Sequence, residues 1–160
     1  MTEPVTIRLA TVADAAQIHA GLRMIAAHLG SPDKIASTID DIALHGFGDD
    51  PAFTVLIAEA GTAFAGMCLF FASFSTWRGQ KGAYVQDIVV DDRSRGRGVG
   101  LALLRQTARH VRDNGGSYLR LSVDARNLSA QSFYEHAGLT WSREEHIHAA
   151  YGDAFITLAG

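Results

Sequence analysis

The sequence contains one cysteine in 160 residues, Cys68. That excludes a disulfide framework and a cysteine-based zinc site within the chain. Cys68 lies in the apolar run Met67-Cys68-Leu69-Phe70-Phe71, where burial statistics favour a structural cysteine over a reactive thiol. Basic charge is not in surplus: 14 Lys and Arg stand against 17 Asp and Glu, a net charge of −3 with His neutral. A nucleic-acid binder carries the opposite balance, so no nucleic-acid partner is expected. A mildly acidic surface suits a cationic partner, although −3 is too small to argue one alone. No apolar stretch is long enough to span a membrane. Met1-Thr2-Glu3-Pro4 has neither the basic nor the apolar region of a signal peptide. The expectation is a cytoplasmic protein without a membrane partner. Long linkers, repeats and low-complexity segments are missing too, so residues 1–160 are expected to form a single domain.

What is present is enough apolar sequence, 48% of residues, to build a core. Thr6-Ile7-Arg8-Leu9 alternates and predicts a short first strand. Thr11 with Asp14 forms a variant capping box, followed at helical spacing by Ile18, Leu22, Ile25 and Leu29 and stopped by Gly30. Thr38 with Asp41 predicts a second short helix through Leu44. Phe53 to Ala60, Gly61 and Phe64 to Phe74 read as a hairpin, and Ala83 to Val90 as the next strand. A helix from Gly98 to Asn114, a strand from Tyr118 to Val123 and a helix from Ala130 to His136 follow. Phe155 to Leu158 is expected to be a last strand, with a short extra strand near Leu139. A meander followed by a β-α-β crossover implies an α/β (α+β) fold: a mixed, mostly antiparallel sheet with helices on both faces.

The most informative segment is Asp91-Asp92-Arg93-Ser94-Arg95-Gly96-Arg97-Gly98-Val99-Gly100. It follows an apolar strand and opens a helix, whose first backbone N–H groups lack intrahelical acceptors and carry partial positive charge. Glycines let a bulky anion approach the backbone, and three arginines add charge, an arrangement suited to a pyrophosphate. The alternative is a glycine-rich turn with solvated arginines. A P-loop requires Lys and then Ser or Thr after its last glycine, which Val99-Gly100-Leu101 does not supply. A dinucleotide fingerprint requires Gly-x-Gly-x-x-Gly; the spacing here is Gly96-x-Gly98-x-Gly100, even though Asp124 stands where a ribose-binding acid would be.

Arg95-Gly96-Arg97-Gly98-Val99-Gly100 resembles the acetyl-CoA pyrophosphate loop of the GNAT N-acetyltransferases. A second family signature is matched at Asn127-Leu128-Ser129-Ala130-Gln131-Ser132-Phe133-Tyr134-Glu135-His136-Ala137-Gly138-Leu139. Gly46-Phe47-Gly48, Ser75-Thr76-Trp77-Arg78-Gly79 and Tyr84-Val85-Gln86-Asp87-Ile88-Val89-Val90 are similar to the diamine (spermidine/spermine) acetyltransferase branch, a likeness running from about Val5 to Glu145. The resemblance implies the GNAT fold with a splayed pair of parallel strands, acetyl-CoA as co-substrate, a small-molecule amine as acceptor and a homodimer. It also implies site roles. Arg95, Gly96, Arg97, Gly98, Val99 and Gly100 would hold the pyrophosphate, and Ile88, Val89 and Val90 the pantetheine arm. Asn127 would touch the cofactor, and Tyr134 would serve the thioester sulfur as the catalytic residue.

The chemistry requires an ammonium to lose a proton, an oxyanion to be stabilised and a thiolate to leave. The diamine branch carries a glutamate where this chain has Gln86, and an acid where it has Ser75. Glutamine cannot act as a base, so the resemblance weighs against spermidine or spermine as acceptor. Gln86 would position a relaying water, and Asp87 is either the substitute carboxylate or a structural hydrogen-bond acceptor. Strand alternation points Asp87 to the face opposite Gln86 unless a bulge intervenes. Trp77, with Gln86 and Asp87, is expected to bind the amine substrate; the alternative for Trp77 is a loop anchor at a subunit contact. Glu59 either binds the amine or acts remotely, or is an exposed strand-end charge, the favoured reading; the seven histidines offer no metal spacing, so no metal is expected. The competing readings are peptide or protein N-acetylation, a non-catalytic acetyl-CoA sensor, and a nicotinamide-dependent enzyme.

Overall fold

Five strands form one sheet in chain order in the computed structural model, which describes residues 3–160. They are β1 (Val5–Leu9), β2 (Thr54–Ala60), β3 (Ala63–Ser75), β4 (Gln80–Val90) and β5 (Gly116–Leu121). The first four pair antiparallel, and β4 pairs parallel with β5 through the crossover helix α3 (Val99–Asp113). Helices α1 (Ala15–His28) and α2 (Ile39–Gly46) complete this part of the chain. It forms a compact unit ending at Ser122. The mixed sheet expected from the meander and crossover is the one found.

Apolar residues lie on both faces of the sheet, and each face has its own helices. On one face Val99, Leu103 and Val111 of α3 pack with Leu56, Cys68, Phe70, Ala83 and Val85. On the other, Ile18 and Leu22 of α1 and Ile42 of α2 pack with Val55, Ile57, Met67, Leu69 and Val89. Fully burying an aliphatic side chain such as Ile18, Ile57 or Leu103 stabilises by about 2 kcal/mol. The predicted caps form. The Thr38 backbone N–H donates to the Asp41 carboxylate at 2.7 Å, and the Asp41 N–H donates back to Thr38 Oγ1 at 3.1 Å. The Thr11 N–H likewise donates to Asp14 at 2.7 Å, closing a single 3₁₀ turn that leads into α1.

The second unit, Val123–Gly160, holds α4 (Leu128–His136) and α5 (Gly152–Ala159). Here two expectations fail. Phe155 to Leu158 is not a strand but the middle of α5, and no strand forms near Leu139: residues 139–151 have no regular structure. A short apolar run does not discriminate strand from buried helix by pattern. The flanks decide it here: Asp153 sits in the first turn, where a negative charge favours a helix, and Ala154 and Ala159 have high helix propensity.

Candidate active site

The sheet opens at one place. The β4–β5 ladder runs through Ala83↔Leu119 and Tyr84↔Arg120 and ends at Val85↔Leu121. Strand β4 continues to Val90 paired with β3. Residues Gln86, Asp87, Ile88, Val89 and Val90 therefore occupy a stretch of β4 beyond its last β5 partner, the splay that the resemblance implied. At the branch the Tyr84 hydroxyl donates to Ser122 Oγ at 2.6 Å, and the Tyr84 ring stacks on Phe71 at 5.2 Å. Ser122 did not stand out in the sequence, because its contact with Tyr84 depends on where the ladder stops.

A β-bulge sits in the same stretch. Leu69 pairs with Asp87 but Phe70 pairs with Val85, so Gln86 is an extra residue in β4. Its effect on side-chain direction is visible in the two cores. Before the bulge, Ala83 and Val85 pack on the α3 side; beyond it, the even-numbered Ile88 and Val90 do so, while Val89 joins the α1 side. Asp87, cross-strand from Leu69 of the α1-side core, shares that side. Simple alternation, which separates Asp87 from Gln86, is thus corrected: a bulge resets the period by one residue. Gln86 is exposed and Asp87 half-buried. Burial pushes the Asp87 carboxyl up to about 6, because desolvation disfavours its charged form.

Beyond Val90 the chain turns into α3. Asp91 accepts from the Arg93 N–H at 3.0 Å and holds the Arg93 guanidinium at 2.9 Å. Gly96 and Gly98 have φ of 74° and 75°, a left-handed conformation that other residues rarely adopt. A Cβ at either would meet no atom within 4 Å, so the space in front of both is open. Gly98 caps α3 without a side chain, leaving the first-turn N–H groups near Val99 and Gly100 directed at that space. The arginines are less simple than a fringe of solvated charge. Arg95 pairs with Asp92 at 3.1 Å and lies against the His28 ring, while Arg97 donates to the Glu3 carbonyl. The anion-binding capacity of the turn therefore rests first on backbone.

Trp77 is not brought to this stretch within its own unit. It is fully exposed in the β3–β4 turn, and the seven strand residues from Gln80 to Gln86 alone span about 20 Å. Ser75, the position of the missing acid, closes that turn by accepting from the Arg78 N–H at 3.3 Å. Glu59 is an ion-pair partner rather than a lone charge: Arg8 donates to it at 2.9 Å and to Asp14 at 2.8 Å. Cys68 is fully buried, and burial pushes its thiol up to about 12, consistent with an inert structural cysteine. In the second unit Asn127 Oδ1 caps α4 by accepting from the Ala130 N–H at 3.0 Å. Tyr134 is half-buried with its ring tilted against Phe133, centroids 5.4 Å apart. His136 is bonded to the Ser132 carbonyl of its own helix at 2.7 Å. Among the described residues no group of three His, Cys, Asp or Glu could hold a metal, and no helix is long and apolar enough to cross a membrane.

Comparison with known proteins agrees with this arrangement. The family model described as the acetyltransferase (GNAT) family matches residues 22–139. A thialysine N-epsilon-acetyltransferase from Bos taurus is 31% identical over 167 residues, covering 98% of each chain. A spermidine/spermine N(1)-acetyltransferase-like protein from Homo sapiens is 27% identical over 150 residues, covering 89% of this chain and 21% of that protein. Among solved structures, an integron cassette protein from the mobile metagenome of V. cholerae shares the fold. Its TM-score is 0.80 over 97% of each chain, at 21% identity.

Proposed function

The chain belongs to the GNAT acetyltransferase family and is an acetyl-CoA-dependent amine N-acetyltransferase; on that premise we propose that its acceptor is a small primary amine, such as the terminal amine of a basic amino acid, rather than a polyamine. The observation that carries the reading is the unzipped length of β4 running into the Gly96–Gly100 turn. The open backbone at Gly96 and Gly98 and the first turn of α3 suit the pyrophosphate. The β4 edge at Ile88, Val89 and Val90 suits the amide-bearing pantetheine arm. A backbone N–H near Val89 or Val90 serves as the oxyanion donor, a group whose removal in other enzymes costs about 10²–10³ in rate.

Two features support the acceptor class. The full-length relative at 31% identity is named for thialysine, whereas the spermidine/spermine-like relative is less similar. In addition, Gln86 and Ser75 stand where the diamine branch has carboxylates to attract a polycation. Gln86 and Asp87 face the incoming amine. Tyr134 and Asn127 are assigned by the family signature: Asn127 to the cofactor and Tyr134 to the leaving sulfur. A phenol near pKa 10 and a thiol near 8.5 make full proton transfer uphill by about 2 kcal/mol, so Tyr134 acts mainly as a hydrogen-bond donor to the developing thiolate. We take residues 1–160 as one catalytic domain, active as a cytoplasmic homodimer in which the exposed Trp77 is a subunit contact; sedimentation as a monomer at assay concentration overturns the dimer.

The test is thiol release from acetyl-CoA with lysine analogues, diamines, spermidine, amino acids and peptides. Release with an amino acid or monoamine and little with spermidine supports the acceptor class. Preferential release with spermidine or with peptides overturns it. Acetyl-CoA binding without release from any amine favours a sensor, the reading that the absence of a glutamate at Gln86 would explain.

A further inference from the structure

We propose that Asp87 is the proton acceptor of this enzyme, taking the place of the base that Gln86 cannot provide. The inference rests on the acetyl-transfer reading above and concerns the first step of that reaction. Three observations on β4 carry it. The bulge at Gln86 leaves Gln86 and Asp87 both on the α1 side of the sheet, although they are neighbours in sequence. Both lie beyond the last β5 partner, immediately ahead of the Ile88–Val90 edge assigned to the thioester arm. And Asp87, though half-buried, has no hydrogen bond or ion pair among the described residues, so the alternative role of structural acceptor lacks a donor.

The surroundings of Asp87 leave its protonation to burial. From β3, the residues on its side are Met67 and Leu69, which do not titrate; Cys68 points to the opposite core. From α1, the packed residues are Ile18 and Leu22, and the titratable His19, Arg23 and His28 lie off that stripe, His19 being bound to the Ser37 carbonyl at 2.7 Å. From β5, Arg120 shares the face through its pairing with Tyr84. Helix α3, with Arg105, Arg109, His110 and Arg112, lies across the sheet. Desolvation is the cause of the Asp87 shift to about 6, with no cation among its sources. A carboxylate titrating there is ionised at neutral pH yet more basic than an exposed aspartate, which suits a general base.

The step balances as follows. The Asp87 carboxylate takes one proton from the ammonium, directly or through the water positioned by Gln86. The freed nitrogen lone pair attacks the thioester carbonyl carbon. The C–S bond breaks with its electron pair on sulfur, and the nitrogen's second proton passes to that sulfur. Asp87 then releases its proton to solvent, so the sum is amide, free thiol and one proton.

The experiment compares wild type and Asp87→Asn in kcat/KM against pH. It uses one amine that is protonated throughout the range and one that is neutral throughout. With the protonated amine, wild type rises through pH near 6 and levels off; Asp87→Asn falls by about 10²-fold or more and loses that rise. With the neutral amine, the variant recovers most of the rate, because no proton need be removed before attack. Acetyl-CoA affinity by calorimetry stays unchanged. A variant that keeps the wild-type profile overturns the proposal, as does a loss confined to KM and equal for both amines. If Asp87→Asn does not fold, the two wild-type profiles decide: a step near pH 6 with both amines overturns the role, and a step with the protonated amine alone supports it. Wild type that releases no thiol from any amine overturns the acetyl-transfer reading itself, and this proposal with it.

Discussion

At the scale of single residues, the glycine turn makes the sharpest demand. Gly98 holds φ of 75° as the cap of α3, and an alanine in left-handed conformation costs about 1–2 kcal/mol. Gly98→Ala is expected to lower the unfolding free energy by that amount in denaturant unfolding and to weaken acetyl-CoA binding, measured by calorimetry, since the added methyl enters the open space in front of the first turn. Unchanged affinity would remove the pyrophosphate from this turn. Tyr134→Phe keeps the ring packed on Phe133 and deletes only the hydroxyl. Turnover is expected to fall, by about 10²-fold if the donor acts in the transition state, with thermal stability retained; wild-type turnover would end the role. The glycine turn could be singled out from residue type and order, and Tyr134 and the Gln86-Asp87 pair only through the family resemblance. The side on which Asp87 lies was not. Period-two reasoning assumes an uninterrupted strand, and one inserted residue inverts every position after it. The sequence trace of that event is slight: two adjacent polar residues between apolar neighbours.

At the scale of elements, β4 is held from behind by β3, and the contact is close. A Cβ on Gly66 would lie 2.6 Å from the Val89 carbonyl oxygen, a backbone atom that cannot swing away. Gly66→Ala is expected to displace β4 at Val89, costing about 1–3 kcal/mol in denaturant unfolding and raising the KM for acetyl-CoA. A variant with wild-type KM would show that the arm does not depend on this strand position. Most elements were readable from the chain because caps, periodicity and stop signals agreed, as at Thr38-Asp41 and Gly98–Asn114. The C-terminal Phe155-Ile156-Thr157-Leu158 was not. Its residues have strand propensity, but a strand is defined by a neighbour's ladder, and propensity carries no information about whether one is available.

At the scale of the whole molecule, folding stability is tied to charge at the edge of the sheet. Arg8 of β1 donates to Asp14 at the start of α1 and to Glu59 of β2. The guanidinium lowers the Asp14 carboxyl from 3.8 to about 2. A carboxylate depressed in the folded state contributes stability that is fully present above its unfolded value and lost as pH falls through its folded one. Acid unfolding is therefore expected to draw on this pair between pH about 4 and about 2. Asp14→Asn should flatten the stability curve in that window; an unaltered acid limb would assign the loss to other groups. The interior has a different consequence. The chain's one thiol, Cys68, lies sealed between β3 and α3 and resists ionisation. A sulfhydryl dye present during turnover therefore meets no competing protein sulfur. Each equivalent of colour counts one acetyl moved, and the catalyst is neither titrated nor poisoned by the reagent that watches it.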